Sequence, residues 1–75
     1  MSLLDRITFD PIVMGGRPCI RGMRVTAGML LGLLASSRTI DEILAAYPYL
    51  ERDDVLAALA YGWRTEEAEL PLNAE

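Results

Sequence analysis

Residues 39–59 read TIDEILAAYPYLERDDVLAAL and decide the fold, because two helical patterns meet here at a proline. Thr39 and Glu42 stand three residues apart, the spacing of a capping box that starts a helix. Apolar side chains then repeat with a helical period at Ile40, Ile43, Leu44 and Tyr47. Pro48 ends that helix. A further helix is predicted from about Glu51 to about Glu67, with acids in the first turn, where the helix dipole favours them.

Another helical pattern precedes these two. Thr26 has the side chain of an N-cap, and Ser36-Ser37-Arg38 ends the helix that follows it. This helix is apolar on nearly every face, so it lies either at the centre of the core or between the core and a dimer interface. An apolar helix followed by two helices that a three-residue turn separates predicts a mainly α, three-helix helix-turn-helix fold. The acidic start of the last helix is unusual for a recognition helix.

The N-terminal part predicts a small β-hairpin. Residues 7–10 alternate apolar and polar side chains, as a half-buried strand does. Gly15-Gly16 stands between the apolar run 12–14 and the run 17–20, and two such glycines are a hairpin signal. Pro18 cannot donate to a ladder, so its strand lies at an edge or is irregular. We therefore expect a single domain over 1–75: a β-hairpin and arginine segment at 1–25, three helices at 26–67 and a flexible tail at 68–75.

Length and composition predict self-association. The chain has 75 residues, and 52% of them are hydrophobic. A domain of this size buries roughly 60% of the surface that its unfolded chain exposes. That leaves more apolar material than a small monomer hides easily, and association with another surface is the simplest remedy. We expect a homodimer that uses the helix of residues 27–35, the hairpin, or both.

Charge is distributed unevenly along the chain. All seven basic residues are arginine, and the net charge is −4. No acidic residue lies between Asp10 and Asp41, whereas four arginines do, namely Arg17, Arg21, Arg24 and Arg38. An acidic total argues against indiscriminate nucleic-acid binding but leaves room for a focused basic patch.

Several function classes have little support. The single cysteine excludes an internal disulfide, fits a cytoplasmic location and is expected to be a small buried hydrophobe. No signal-peptide pattern is present, and the longest apolar run, 27–35, is too short to span a bilayer. Histidine is absent, and neither a metal-ligand spacing nor a nucleophile with an obvious base occurs. We expect no enzymatic activity, no cofactor and no metal.

The segment GGRPCIRGMRV, residues 15–25, is the main candidate site. Arg17, Arg21 and Arg24 offer planar forks that match phosphate or carboxylate groups, and the Gly16 backbone permits close approach of an anion. One interpretation is contact with DNA phosphates. A second is that the arginines pair with Asp5, Asp10 or the acids of the last helix and fix the hairpin. A third is that they plug a carboxylate cluster on a protein partner.

The last helix carries a second set of candidates. If Val55 and Leu59 face inward, the helix presents Arg52, Ala57, Tyr61 and Arg64 outward for groove recognition. The alternative is a solvated helix with charge pairs four residues apart. Trp63 and Tyr47 are interpreted as core aromatics rather than base-stacking platforms. The expected buried core consists of Ile20, Leu30, Leu33, Ile43, Leu44, Leu50, Val55 and Leu59.

The order of these motifs resembles the small bacterial proteins of domain of unknown function family four-three-three. The matching residues are Ile7, Asp10-Pro11, Gly15-Gly16-Arg17-Pro18, Ile20-Arg21-Gly22-Met23-Arg24, Glu42-Ile43-Leu44, Tyr47-Pro48-Tyr49-Leu50 and Asp54-Val55. The resemblance runs from about Ile7 to about Tyr61. In this chain Ser37 stands where the family has a glycine, at a helix end that favours positive φ.

The resemblance implies a homeodomain-like or winged-helix-like helix-turn-helix and an antitoxin role. Members commonly accompany a PIN-like nuclease toxin, so the implied function is a DNA-binding antitoxin of a type II toxin–antitoxin pair. Such a protein neutralises the toxin and regulates its own operon, with operator DNA and the toxin as partners. The alternative is a module that binds only protein through the arginine segment. The candidate binding residues are Gly16, Arg17, Arg21, Arg24, Arg38, Arg52, Tyr61 and Arg64.

Overall fold

The computed structural model describes residues 2–66, in which three helices follow a two-stranded sheet. Strands β1 (Ile7–Thr8) and β2 (Cys19–Ile20) pair antiparallel, and the helices are α1 (Ala27–Ala35), α2 (Ile40–Ala46) and α3 (Arg52–Glu66). The predicted mainly helical fold with a small N-terminal sheet is confirmed. The tail predicted at 68–75 lies outside the described residues.

The helix starts are those that the sequence predicts. The Thr26 hydroxyl accepts a hydrogen bond from the Met29 amide at 3.0 Å and caps α1. At α2 the capping box is complete, because Thr39 Oγ1 accepts from the Glu42 amide at 3.1 Å and Glu42 Oε1 accepts from the Thr39 amide at 2.8 Å. Ser37, just after α1, has a φ of 74°, the conformation that favours glycine there.

The hairpin differs from its prediction. Ile7 pairs with Ile20 and Thr8 with Cys19, so residues 12–14 belong to the connection and not to a strand. Asp10 explains the difference, since its carboxylate accepts the Ile12 amide at 2.9 Å and its carbonyl accepts the Val13 amide at 2.9 Å. These turn bonds occupy the amides that a ladder at 12–14 would need.

A second tight turn, which the sequence interpretation missed, follows β2. The Met23 amide donates to the Ile20 carbonyl at 2.8 Å, and the two residues between them, Arg21 and Gly22, have φ of 48° and 73°. Two successive positive φ values are typical of a type I′ turn. The left-handed backbone at Arg21 is unusual for a residue with a side chain.

The core lies between the sheet and the helices. Its buried members are Ile20, Val25, Ala27, Leu30, Ile43, Leu50, Val55 and Ala58. Five of the eight residues predicted for the core are therefore confirmed as buried, and Leu33 and Leu44 are half-buried against it. The prediction for Leu59 is wrong, because 41% of this residue is exposed.

Small residues explain the error at Leu59. Helix α3 packs on α1 and on the 3-10 turn Leu3–Arg6 through Val55, Ala57, Ala58 and Gly62. Gly62 lies so close to α1 that a Cβ there would be 2.9 Å from Leu31 Cδ1. Close packing of small side chains rotates the large ones outward, so Trp63 is 59% exposed and is not a core aromatic.

Candidate functional site

Two predicted site residues at the start of the arginine segment form a bonded turn. Gly15 and Gly16 have φ of 68° and 83° within the 3-10 turn Met14–Gly16. The Gly16 amide donates to the Val13 carbonyl at 3.1 Å, and the Arg17 amide donates to the Met14 carbonyl at 3.3 Å. The Gly16 and Arg17 amides therefore already have internal acceptors, so an anion at this turn would not be bound by these two N–H groups.

Arg21 is held against the first turn of α3. Its guanidinium grips Asp54 with two bonds, Nε to Oδ1 at 3.0 Å and Nη2 to Oδ2 at 2.8 Å. Nη2 also donates to the Tyr49 carbonyl at 3.1 Å. This geometry matches the structural interpretation of the arginine segment, in which an arginine bridges the hairpin to an acid of the last helix. The bidentate fork also fixes the strained Arg21 turn.

Arg6 completes this cluster from the other strand. Its Nη1 donates to Asp54 Oδ1 at 2.9 Å and to Glu51 Oε1 at 2.7 Å. The strand pairing brings the two arginines together, since Arg6 precedes β1, Arg21 follows β2, and the Arg21 amide donates to the Arg6 carbonyl at 2.8 Å. The sequence interpretation missed Arg6, although an arginine at each outer end of an antiparallel pair was the signal. We call Arg6, Arg21, Glu51 and Asp54 the arginine clamp.

Asp54 is the centre of the clamp and has no exposed surface. Burial on its own raises the pKa of this carboxyl, but hydrogen bonds from Arg21, the Glu51 amide and Arg6 outweigh it, so the pKa of Asp54 lies below its ordinary value. The Glu51 amide donates to Asp54 Oδ2 at 2.9 Å, so Asp54 also caps α3 from within. Among the described residues, no buried side-chain oxygen or nitrogen lacks a partner.

The clamp predicts a specific acid sensitivity. A carboxyl whose pKa is lowered in the folded state stabilises the fold fully above its unfolded pKa of about 3.9 and loses that contribution as the pH falls through the folded value. We expect the urea concentration at the unfolding midpoint of the parent to decrease as the pH is lowered below about 4. Asp54→Asn should unfold at a lower urea concentration than the parent at pH 7, and its midpoint should decrease less over the same pH range. Parallel loss in the two proteins would show that another carboxyl is responsible.

The remaining arginines of the acid-free span are exposed. Arg17, Arg24 and Arg38 form no ion pair within residues 2–66. Arg17 and Arg24 both contact Met14: the Arg17 backbone amide donates to the Met14 carbonyl at 3.3 Å, and Arg24 Nη1 lies 3.9 Å from Met14 Sδ. We call these two the Arg17–Arg24 edge. Arg38 stands at the other end of α1, about 14 Å along the helix.

Helix α3 presents a different face from the one predicted. Ala57 is fully buried, so the proposal that it faces a DNA groove is wrong. Arg52 is exposed and donates to Asp41 of α2 at 2.6 Å. Tyr61 packs beside Phe9, with ring centroids 6.0 Å apart, and lines with Arg64, Leu4 and Ile7 an open apolar cavity of about 370 Å³. Tyr61 and Arg64 thus share a cavity whose lining includes neither Arg17 nor Arg24, and Arg52 is paired with α2.

Residues 2–66 contain neither a cluster of metal-ligating side chains nor a membrane-spanning helix. Nowhere in that range do three or more Cys, Asp or Glu side chains stand as a possible metal site. None of the helices described there is long and apolar enough to cross a membrane.

Comparison with known proteins agrees with the resemblance found in the sequence. The sequence profile of the family described as "Protein of unknown function (DUF433)" matches residues 7–62. The crystal structure of a DUF433 member protein from Anabaena variabilis is similar, with a TM-score of 0.77 and 32% sequence identity over 84% of this chain and 62% of that one. The match thus spans less than two thirds of the Anabaena protein. Among curated proteins, none matches the sequence. From its profile match and its fold, this chain belongs to the DUF433 family.

Proposed function

We propose that this chain is a non-enzymatic, antitoxin-like protein of the cytoplasm that holds an anionic protein partner on its Arg17–Arg24 edge. One observation carries the proposal: the fold uses Arg6 and Arg21 in the clamp but leaves Arg17 and Arg24 exposed beside Met14, without an acidic partner among the described residues. The partner that suits this surface is a PIN-like nuclease toxin, and the protein acts as a homodimer.

The chemistry of the edge supports a carboxylate-rich partner. A guanidinium fork binds a carboxylate with two parallel charge-assisted hydrogen bonds, which gives geometric specificity as well as affinity. The resemblance to the family implies a toxin whose catalytic site is a cluster of carboxylates. The two arginines follow bonded turns, Met14–Gly16 and Ile20–Met23, so the backbone beneath them is ordered before the partner arrives. A preordered surface loses less conformational entropy on binding.

Operator DNA is a second candidate partner of the same edge. It is favoured by the helix-turn-helix order of α1–α3 and by the arginines of the acid-free span. The first turn of α3 opposes base reading, because the acidic Glu51 and Asp53 are exposed where a recognition helix normally meets base edges. Contacts with DNA would therefore be made by Arg17, Arg24 and Arg38, which would bind backbone phosphates. Such binding would regulate the protein's own operon.

Paired charge-removing variants test this proposal. We expect Arg17→Gln/Arg24→Gln to lose the PIN-like protein encoded by a neighbouring gene during co-purification and to release its nuclease activity. Affinity should fall at least about tenfold per arginine, because each change leaves a partner carboxylate unpaired. Arg38→Gln, an exposed arginine at the far end of α1, is the matched control and should retain the partner. Unchanged capture by the folded double variant would contradict the proposal.

The same proteins separate the two partners. If the edge binds phosphates, the slope of affinity against salt for a duplex from the gene's own upstream region should fall by about one unit per arginine removed. If the edge serves only the toxin, duplex binding stays unchanged while toxin capture is lost. Because the side chains are exposed, the unfolding midpoints of the variants should match the parent, which distinguishes lost binding from lost structure.

A further inference from the structure

The middle of α3 presents an apolar surface to solvent, between the exposed Arg52 and Asp53 at its start and Arg64 near its end. Leu56, Leu59 and Trp63 follow one another at spacings of three and four residues, the a/d pattern of a helix that packs against a second helix. Leu59 and Trp63 are 41% and 59% exposed, and Leu56 is half-buried. Ala60, between them, is small enough for a close approach. We call Leu56, Leu59, Ala60 and Trp63 the α3 stripe.

We infer that the α3 stripe docks on the same stripe of a second copy, with the two helices antiparallel about a two-fold axis near Leu59. This inference rests on the homodimer proposed above and assigns its interface. A two-fold contact requires a self-complementary patch, in which each side chain meets a symmetry-related counterpart. An apolar seam of a/d residues that is centred on one leucine satisfies that requirement.

Charge at the border of the stripe selects the antiparallel orientation. Asp53 and Arg64 are both exposed, although the Asp53 carboxylate also lies 3.7 Å from Arg6 Nη2 of its own chain. They stand eleven residues apart, about three helical turns, so they lie on one edge of the helix roughly 17 Å from each other. Their midpoint falls between Ala58 and Leu59. An antiparallel pair centred there places Arg64 of each copy level with Asp53 of the other and opposes the two helix dipoles. A parallel pair would place like charges together.

The interface differs from the one that composition alone predicted. On α1 the residues left exposed are Gly28, Gly32 and Ala35, which offer little apolar area. Its leucines are covered at least in part: Leu30, Leu33 and Leu34 lie in or against the core, and Leu31 lies against Gly62 of α3. On α3 the exposed residues include a leucine and the chain's single tryptophan. Large apolar and aromatic side chains bury the most area when two surfaces meet, so α3 is the better dimer surface.

A charge-swap experiment tests the assignment by sedimentation equilibrium. The parent should be a dimer at micromolar concentration, and Leu59→Asp should be monomeric. Arg64→Glu and Asp53→Arg should each weaken self-association about tenfold or more, because like charges then face each other. An equimolar mixture of these two variants should recover a heterodimer, while Arg38→Glu, the control for net charge, should remain dimeric.

Far-UV circular dichroism and urea unfolding check the fold of both variants, and of Asp53→Arg above all, because Asp53 lies 3.7 Å from Arg6 of the clamp. A parent that is monomeric throughout the range overturns the inference and the dimeric state together. A dimer that resists Leu59→Asp and both charge reversals overturns the α3 interface alone. The Arg64→Glu variant also tests the proposed function separately. Arg64 is not on the Arg17–Arg24 edge, so whether this variant still binds the PIN-like protein reports on that edge and not on the α3 interface.

Discussion

Asp54→Ala is expected to cost about 3 kcal/mol of the free energy of unfolding, the lower end of the range for removing one partner of a buried ion pair. The carboxylate has no exposed surface and accepts hydrogen bonds from two guanidiniums and from the Glu51 amide. Its loss leaves two arginines facing each other without the anion between them. The lower end applies because both arginine side chains reach solvent, which compensates part of the loss.

Asp41→Ala is the matched control for this prediction. Asp41 and Arg52 are only 2.6 Å apart, the shortest ion pair among the described residues, yet both side chains are largely exposed. Exposed pairs contribute about 0–1 kcal/mol, since water screens them and side-chain entropy opposes them. Urea unfolding should therefore show a larger loss of stability for Asp54→Ala, whose carboxylate is buried, than for Asp41→Ala, whose ion pair is shorter but exposed. Similar losses in the two would mean that the clamp has no special role in stability.

The clamp shows how far sequence reasoning reached at the candidate site. Pairing of an arginine with an acid of the last helix was one of three interpretations for the arginine segment, and Arg21 has that geometry. Arg6 was missed because its position depends on the register of β1 and β2. Strands of two residues carry almost no periodic signal, so the register is decided by the turns at Asp10 and Arg21.

Helix starts were predictable because each depends on side chains within three residues. Thr26, Thr39 and Glu42 make the bonds that their spacing predicts. Local chemistry of this kind is independent of what the helix later packs against. The same reasoning accounts for Ser37, whose positive φ belongs to the end of α1 whichever residue occupies it.

The orientation of α3 was not predictable in this way. Its sequence contains two apolar seams, one of large residues through Leu59 and Trp63 and one of small residues through Ala58 and Gly62. Periodicity gives equal support to both, and size favours the first. Packing against α1 determines which seam is buried. Helix α1 lies close to α3 over the seam of small residues, where Leu31 lies against Gly62. Tertiary packing thus overrode the preference for burying large side chains.

This choice of seam leads to the last expected result, a large difference between two leucine-to-alanine changes. Leu30→Ala should cost about 2–5 kcal/mol, because Leu30 is completely buried and its removal leaves a cavity between α1 and its neighbours. Leu59→Ala should cost less than about 1 kcal/mol within the monomer, since much of that side chain already contacts water. For a domain of 75 residues the first loss is a large share of total stability.

Urea unfolding of the parent and the two variants measures the difference. The comparison requires a protein concentration at which the copies do not associate, because dimerisation through α3 would add a concentration-dependent term to the stability of the parent. Under that condition the midpoint of Leu59→Ala should stay near the parent while that of Leu30→Ala falls well below it. Equal losses in the two variants would mean that Leu59 is a core residue and that α3 is rotated from the orientation described. The exposed stripe, and the dimer interface inferred from it, would then have no basis.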